Sequence, residues 1–270
     1  MLGKVKTNFG LETLIQLTNN ECFRVRTKKK LDLAVGDHLQ VATNNQISKL
    51  ARVNELKRKT ASLRIQIIAV NLTHVGIVVS KFPVTPICFI DQAIVACRYY
   101  SLEPIIIVTK LDLLDNEIFL DTIKAKYFNT VSICAPFNIN FLPSKFRIAL
   151  IGVSGSGKST LVNKIIPNVY QKTGELNRKM FGNHTTSGAM LFDLPGGNEI
   201  IDTPGIRNLI TAGMSADQIF EYFPGFENLY PIKCRYKNCS HQLEPECSIK
   251  ENVTNEIYAR YLRMCASYNL

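Results

Sequence analysis

The chain has 270 residues, enough for one sizeable core with smaller modules attached. Hydrophobic residues make up 46% of it and Gly and Pro stand at ordinary levels, which excludes a disordered or fibrous chain, and no run reaches the roughly 18 apolar residues of a membrane span. A net charge of +10 points to a polyanionic partner, while the absence of a signal-peptide core behind Met1 and the scatter of Cys22, Cys88, Cys97, Cys134 and Cys265 point to a reduced, cytoplasmic protein.

Residues 1–64 are expected to form a first module. Short alternating segments such as Thr13-Leu-Ile-Gln-Leu17 and Cys22-Phe-Arg-Val-Arg26, with Val35-Gly-Asp37 as a turn, read as a small β-barrel. Here thirteen Lys and Arg face five Asp and Glu, a net charge of +8. Two runs, Lys28-Lys29-Lys30 and Lys57-Arg58-Lys59, are the candidate RNA contacts: each alone suits a solvated loop, but together in one small barrel they favour a nucleic-acid surface.

Residues 65–212 read as an α/β core. Ile65–Val70 and Gly76–Val79 are strand-like, 86–99 is helical in pattern, and Pro104-Ile-Ile-Ile-Val108 is another strand. That strand ends in Thr109-Lys110-Leu111-Asp112, at the edge where α/β sheets bind ligands. The Asp112 carboxylate can accept from the N1 and N2 donors of guanine, and adenine offers no matching pair, so the segment reads as a guanine clamp with Thr109 in the asparagine position of N-K-x-D. Ser132, near the end of the strand-like Thr130–Ile133, is the candidate for the loop that backs the base; an ordinary strand-end serine fits as well.

The strongest signal follows. Phe146-Arg-Ile-Ala-Leu-Ile151 runs into Gly152-Val153-Ser154-Gly155-Ser156-Gly157-Lys158-Ser159-Thr160 and then a helical pattern, the strand, loop and helix context that a phosphate loop requires. Its glycines let the backbone wrap phosphate oxygens, Lys158 reaches the β and γ phosphates, and the Ser159 hydroxyl ligates Mg²⁺. Downstream, Gly182-Asn-His184-Thr185-Thr186-Ser187 lies in a polar stretch suited to a switch loop, with Thr186 the first candidate Mg²⁺ ligand and Thr185 the alternative. Glu199-Ile-Ile-Asp202-Thr-Pro-Gly205 is a strand ending in D-x-x-G, where Asp202 can hold Mg²⁺ through water and the Gly205 N–H can sense the γ phosphate. Ile206 stands where many GTPases have a water-positioning glutamine. The clamp precedes the phosphate loop, the reverse of the ordinary GTPase order.

Residues 213–270 form the third expected module. Cys234, Cys239, His241 and Cys247 fall within fourteen residues, and three thiolates with one imidazole match a closed tetrahedral zinc site; disulfides are the alternative, which nothing secretory supports. Asn255–Leu262 is helical in pattern, with Tyr258, Tyr261 and Leu262 as a packing stripe.

With these motifs in this order, the chain resembles the circularly permuted GTPases of the small-ribosomal-subunit-dependent GTPase A family, the bacterial ribosome-assembly factors. The resemblance covers essentially the whole chain. It implies an OB-fold for the amino-terminal barrel, His184 as the residue that positions the attacking water, and GTP, GDP, Mg²⁺ and one structural Zn²⁺ as bound groups. It further implies a monomer, away from membranes, that binds the small ribosomal subunit and its rRNA and assists late maturation. Its slow GTP hydrolysis would be stimulated by the subunit. Two rivals stand beside this reading: a nucleotide-gated rRNA-binding scaffold with negligible hydrolysis, and a P-loop ATPase or kinase, which Asp112 argues against.

Overall fold

The computed structural model describes residues 1–8, 12–26, 31–42, 46–59, 64–113, 116–134, 142, 144–166, 188–206, 209, 214–229, 233–237, 239–242 and 244–268. Its centre is a run of parallel strands in the order β10 (Ser132–Cys134), β9 (Glu103–Val108), β8 (His74–Val79), β11 (Arg147–Ile151) and β13 (Asn198–Asp202), edged by the antiparallel β12 (Met190–Leu194). Strands β8, β9 and β11 are apolar almost throughout because both of their faces are covered. Helices α1 (Ile87–Tyr99) and α2 (Asn116–Tyr127) pack with Val75, Ile77, Ile106 and Ala149 on one face, while α3 (Lys158–Ile165) packs with Val78, Ile107, Leu150 and Ile200 on the other.

The first module has β1 (Leu2–Asn8) between β2 (Glu12–Leu17) and β4 (His38–Val41), with β3 (Cys22–Arg26) beside β2 and β5 (Ile47–Lys49) beside β4. Alternation puts Val5, Ile15, Leu17, Leu39 and Val41 inside. This module is continuous with the central sheet, because Thr7 of β1 pairs with Met190 of β12. Ion pairs reinforce the seam: Lys4 and Lys6 reach Asp193, and Lys4 with Arg147 reaches Glu199. Burial alone would push the Glu199 carboxyl up, and the Arg147 and Lys4 charges more than offset it, leaving it below its ordinary range.

β6 (Glu55–Lys59) and β7 (Ile65–Val70) form a separate hairpin, so the expected division at residue 64 falls in its connection. The hairpin bridges to Val35 of the first module through Ala69, and to Leu209 beyond the D-x-x-G turn through Arg58.

The carboxyl-terminal module consists of α4 (Ala216–Tyr222), α5 (Ser248–Asn252) and α6 (Asn255–Ser267). Ser215 and Gln218 make a reciprocal capping box at α4, and the Thr254 hydroxyl accepts from the Ile257 N–H at α6. Phe220, Phe223, Tyr261 and Met264 close around Val95 of α1, which explains why α1 is buried on nearly all sides. At this junction the buried Asp91 carboxylate accepts from Nε and Nη2 of Arg260 and from the Tyr127 hydroxyl at 2.8 Å. Among the described residues no helix is long and apolar enough to cross a membrane.

Candidate functional site

The phosphate loop sits where strand β11 turns into α3. Gly155 and Gly157 have φ of +79° and +98°, left-handed values that side chains beyond glycine resist. At Gly152 a Cβ would lie 2.5 Å from the Val78 carbonyl oxygen, so only glycine lets the loop lie this close to β8. The Lys158 ammonium is folded into the loop, donating to the Gly152 oxygen at 2.9 Å and the Val153 oxygen at 3.0 Å. Burial lowers its pKa, against the pull of Asp202. The first N–H groups of α3 have no intrahelical acceptor, and they belong to Lys158, Ser159 and Thr160 at the mouth of this loop. Ser154, Gly155, Ser159 and Thr160 are open to solvent.

The D-x-x-G turn lies against this loop. The Ser159 hydroxyl donates to Asp202 Oδ2 at 2.7 Å, bringing together two oxygens of the kind that ligate Mg²⁺. The Ile206 N–H donates to the Gly152 oxygen at 3.1 Å, and a Cβ on Gly205 would stand 3.1 Å from Ser154 main-chain atoms. Ser156 Oγ is buried with no hydrogen-bond partner among the described residues, as fits a cradle for a polyanion. The donor set of the loop therefore suits a nucleotide triphosphate with its magnesium ion.

Thr109 is buried and faces the phosphate loop: its hydroxyl lies 2.6 Å from the Ser156 carbonyl oxygen and 3.1 Å from that of Val79. It thus ties the clamp strand to the loop, a task its sequence position did not reveal. Lys110 has φ of +59° and its ammonium donates to the Phe82 carbonyl, while Asp112 is exposed in the turn that follows. Ser132 requires correction. It opens β10 instead of ending a strand, and its register partner is Ile105, four residues before Thr109. At the usual rise per residue it stands about 13 Å along the sheet from the level of Thr109, on the side away from the clamp. Residues 135–140, which follow β10, lie outside the described residues, as do His184, Thr185, Thr186, Lys28, Lys29 and Lys30.

Of the second basic run, Lys57 pairs with Glu55 at 2.8 Å and lies 5.7 Å from the centre of the Tyr100 ring. Arg58 Nε donates to Gln66 Oε1 at 2.9 Å, and the side chain of Lys59 is outside the described set.

Cys234, Cys239, His241 and Cys247 come together, with their ligand atoms all within 4.8 Å of one another, a set compatible with structural zinc. The loop is held from α6, where the Tyr258 hydroxyl donates to the Gln242 oxygen at 2.6 Å and the Tyr261 hydroxyl to the Ser240 oxygen at 3.3 Å. These tyrosines belong to the expected packing stripe, and their hydroxyls have this second task. The Ser240 and Gln242 N–H groups donate to Glu244, holding its carboxyl down at about 2.

Residues 49–212 match the family model described as RsgA GTPase. The small ribosomal subunit biogenesis GTPase RsgA of Bacteroides fragilis is 32% identical, over 97% of this chain and 92% of that protein. The protein of the same name from Actinobacillus succinogenes is 29% identical, over 93% of this chain and 78% of its own length. The fold is similar to the crystal structure of YjeQ from Thermotoga maritima, with a TM-score of 0.74 at 21% identity, covering 99% of this chain and 98% of that one. A family model that spans more than half of the chain, together with a relative aligned over nearly all of it, shows that the chain belongs to the RsgA GTPase family and is a GTP hydrolase.

Proposed function

We propose that this GTPase binds the small ribosomal subunit and assists its late maturation, hydrolysing GTP to GDP and phosphate with stimulation by the subunit. The observation that carries the enzymatic part is the junction of Ser159, Asp202 and Ile206 with the phosphate loop, which joins the metal-binding and γ-phosphate-sensing elements in one contact. The relatives' names supply the subunit as partner.

In this reading Val153 to Thr160 cradle the phosphates through main-chain N–H groups, and Lys158 neutralises the charge that builds up on them. Ser159 would ligate Mg²⁺ directly and Asp202 through water, with Thr186 or Thr185 completing the set, and an ion held there would supply Lewis-acid polarisation of the phosphoryl oxygens. Asp112 reads guanine, and His184 positions the attacking water in place of the glutamine that Ile206 displaces. Ile206 is 1% exposed and has no polar group to offer water, in keeping with slow unassisted turnover. The strand neighbours β3, β2, β1, β4 and β5 support an OB-fold for residues 1–64, a nucleic-acid platform. The GTPase core would then span 65–212 and the zinc module 213–270, in a cytoplasmic monomer.

Phosphate release from GTP, measured with and without small ribosomal subunits, tests the reading. Strong stimulation is expected. Bound GTP with no acceleration would favour the scaffold with negligible hydrolysis. For the zinc module, Cys247→Ser is expected to empty the cluster of metal by atomic absorption and to open α5 and α6 to trypsin, since the ligand loop has little core of its own. Unchanged metal content would remove Cys247 from the ligand set.

A further inference from the structure

Between β8 and α1 the chain makes a tight knuckle at residues 80–86. The Ser80 N–H donates to Thr85 Oγ1 at 3.1 Å, the Thr85 N–H returns to the Ser80 oxygen at 3.0 Å, and the Ser80 hydroxyl donates to the Pro83 oxygen at 2.9 Å. Ser80 and Thr85 are buried, while the tip projects Phe82 and Val84 at 53% and 64% exposure. The Lys81 ammonium lies 5.5 Å from the centre of the Phe82 ring. An aromatic side chain held this far into solvent by a self-bonded turn is presented with little entropy left to lose on binding.

The inner side of the knuckle touches the nucleotide machinery. Pro83 lies 3.5 Å from the position a Cβ would take on Gly155, and the Phe82 carbonyl accepts from Lys110 of the guanine clamp. No Asp or Glu occurs between residues 71 and 90, so the knuckle's own stretch of sequence places Lys81 beside the ring and contributes no carboxylate.

We propose that Phe82 and Lys81 form an RNA contact of the GTPase core itself: an unstacked nucleobase of the subunit RNA lies on the Phe82 ring, and a neighbouring phosphate meets Lys81. This rests on the proposed partner, and it gives the subunit a direct mechanical route to the phosphate loop and clamp. Charge favours RNA over an apolar protein pocket, since such a pocket would have to bury the Lys81 ammonium along with the ring.

Small subunits are titrated against wild type, Phe82→Ala, Phe82→Leu, Phe82→Trp and Lys81→Ala, reading both co-sedimentation and the ratio of stimulated to basal hydrolysis. Phe82→Ala is expected to raise the half-saturating subunit concentration about tenfold, Phe82→Leu nearly as much, and Phe82→Trp little, because stacking needs a π face. Lys81→Ala should reduce the slope of log affinity against log salt by about one. Equal binding by Phe82→Ala overturns the proposal, and rescue by Phe82→Leu assigns the knuckle to an apolar protein pocket and overturns the RNA contact. A wild type that binds subunits without stimulation contradicts the proposed function while the binding series still decides the knuckle. A wild type that does not bind overturns both.

Discussion

Asp91→Ala is expected to destabilise the protein by about 3–5 kcal/mol, the range seen when one partner of a buried ion pair is removed. The carboxylate is 1% exposed and holds three contacts, to Nε and Nη2 of Arg260 and to the Tyr127 hydroxyl. Burial works against the Arg260 charge, and the Asp91 hydrogen bonds more than offset it, so the guanidinium sits above its ordinary range. Without Asp91 that charge stays buried between the Tyr127 and Phe223 rings, 4.7 and 5.8 Å from their centres, having lost the carboxylate it pairs with among the described residues. The rings offer only a small part of what the carboxylate supplied. Because α1 belongs to the GTPase core and α6 to the carboxyl-terminal module, the loss falls on their junction. Urea denaturation should show an earlier midpoint, and hydrogen exchange should quicken first in α6. The double variant Asp91→Leu/Arg260→Met is expected to recover most of the loss, since it leaves no charge behind. A single variant within 1 kcal/mol of wild type would mean that the pair does not hold the modules together.

Lys158→Ala is expected to lower GTP hydrolysis at least about a hundredfold, the scale of removing a preorganised charge from a transition state. The fold should survive, because both acceptors of Lys158 have other donors: the Gly152 oxygen takes the Ile206 N–H and the Val153 oxygen takes the Ser156 N–H. Lys158→Arg should fail almost as badly. A planar fork is not a substitute for a point charge in a loop this narrow. Single-turnover phosphate release, with circular dichroism as the control for folding, checks both. Retention of more than a tenth of wild-type turnover by the alanine variant would take Lys158 out of the catalytic step.

Where the sequence was legible, the reason is local. The phosphate loop is nine contiguous residues whose glycines, lysine and serine act through their own backbone and their own helix end, so reading them in a row is close to reading the site. The Cys and His ligands likewise fall within fourteen residues, and a metal can gather them with little help from the rest of the chain. Reading failed where a short run carried too little periodicity. β10 has only three residues, and the stretch Thr130–Ile133 did not show that the strand begins at Ser132. Charge counting also overstated what the first module holds free for RNA. Lys4 and Lys6 are used by Asp193 and Glu199, Arg52 by Asp37 and Glu55, and Lys57 by Glu55.

By itself, then, the sequence determined a phosphate loop, a T-K-x-D segment placed ahead of it, a D-x-x-G turn and a Cys₃His cluster, because each depends on side chains a few residues apart. Only the tertiary structure decided that the first module is stitched into the central sheet through Thr7 and Met190, that Thr109 grips the phosphate loop, and that Asp91 meets Arg260 across 169 residues of sequence. Those contacts join side chains whose separation along the chain carries no periodic signal. They form because burying the apolar faces of β1, α1 and α6 brings their polar groups together, and a polar group taken out of water must then find a partner.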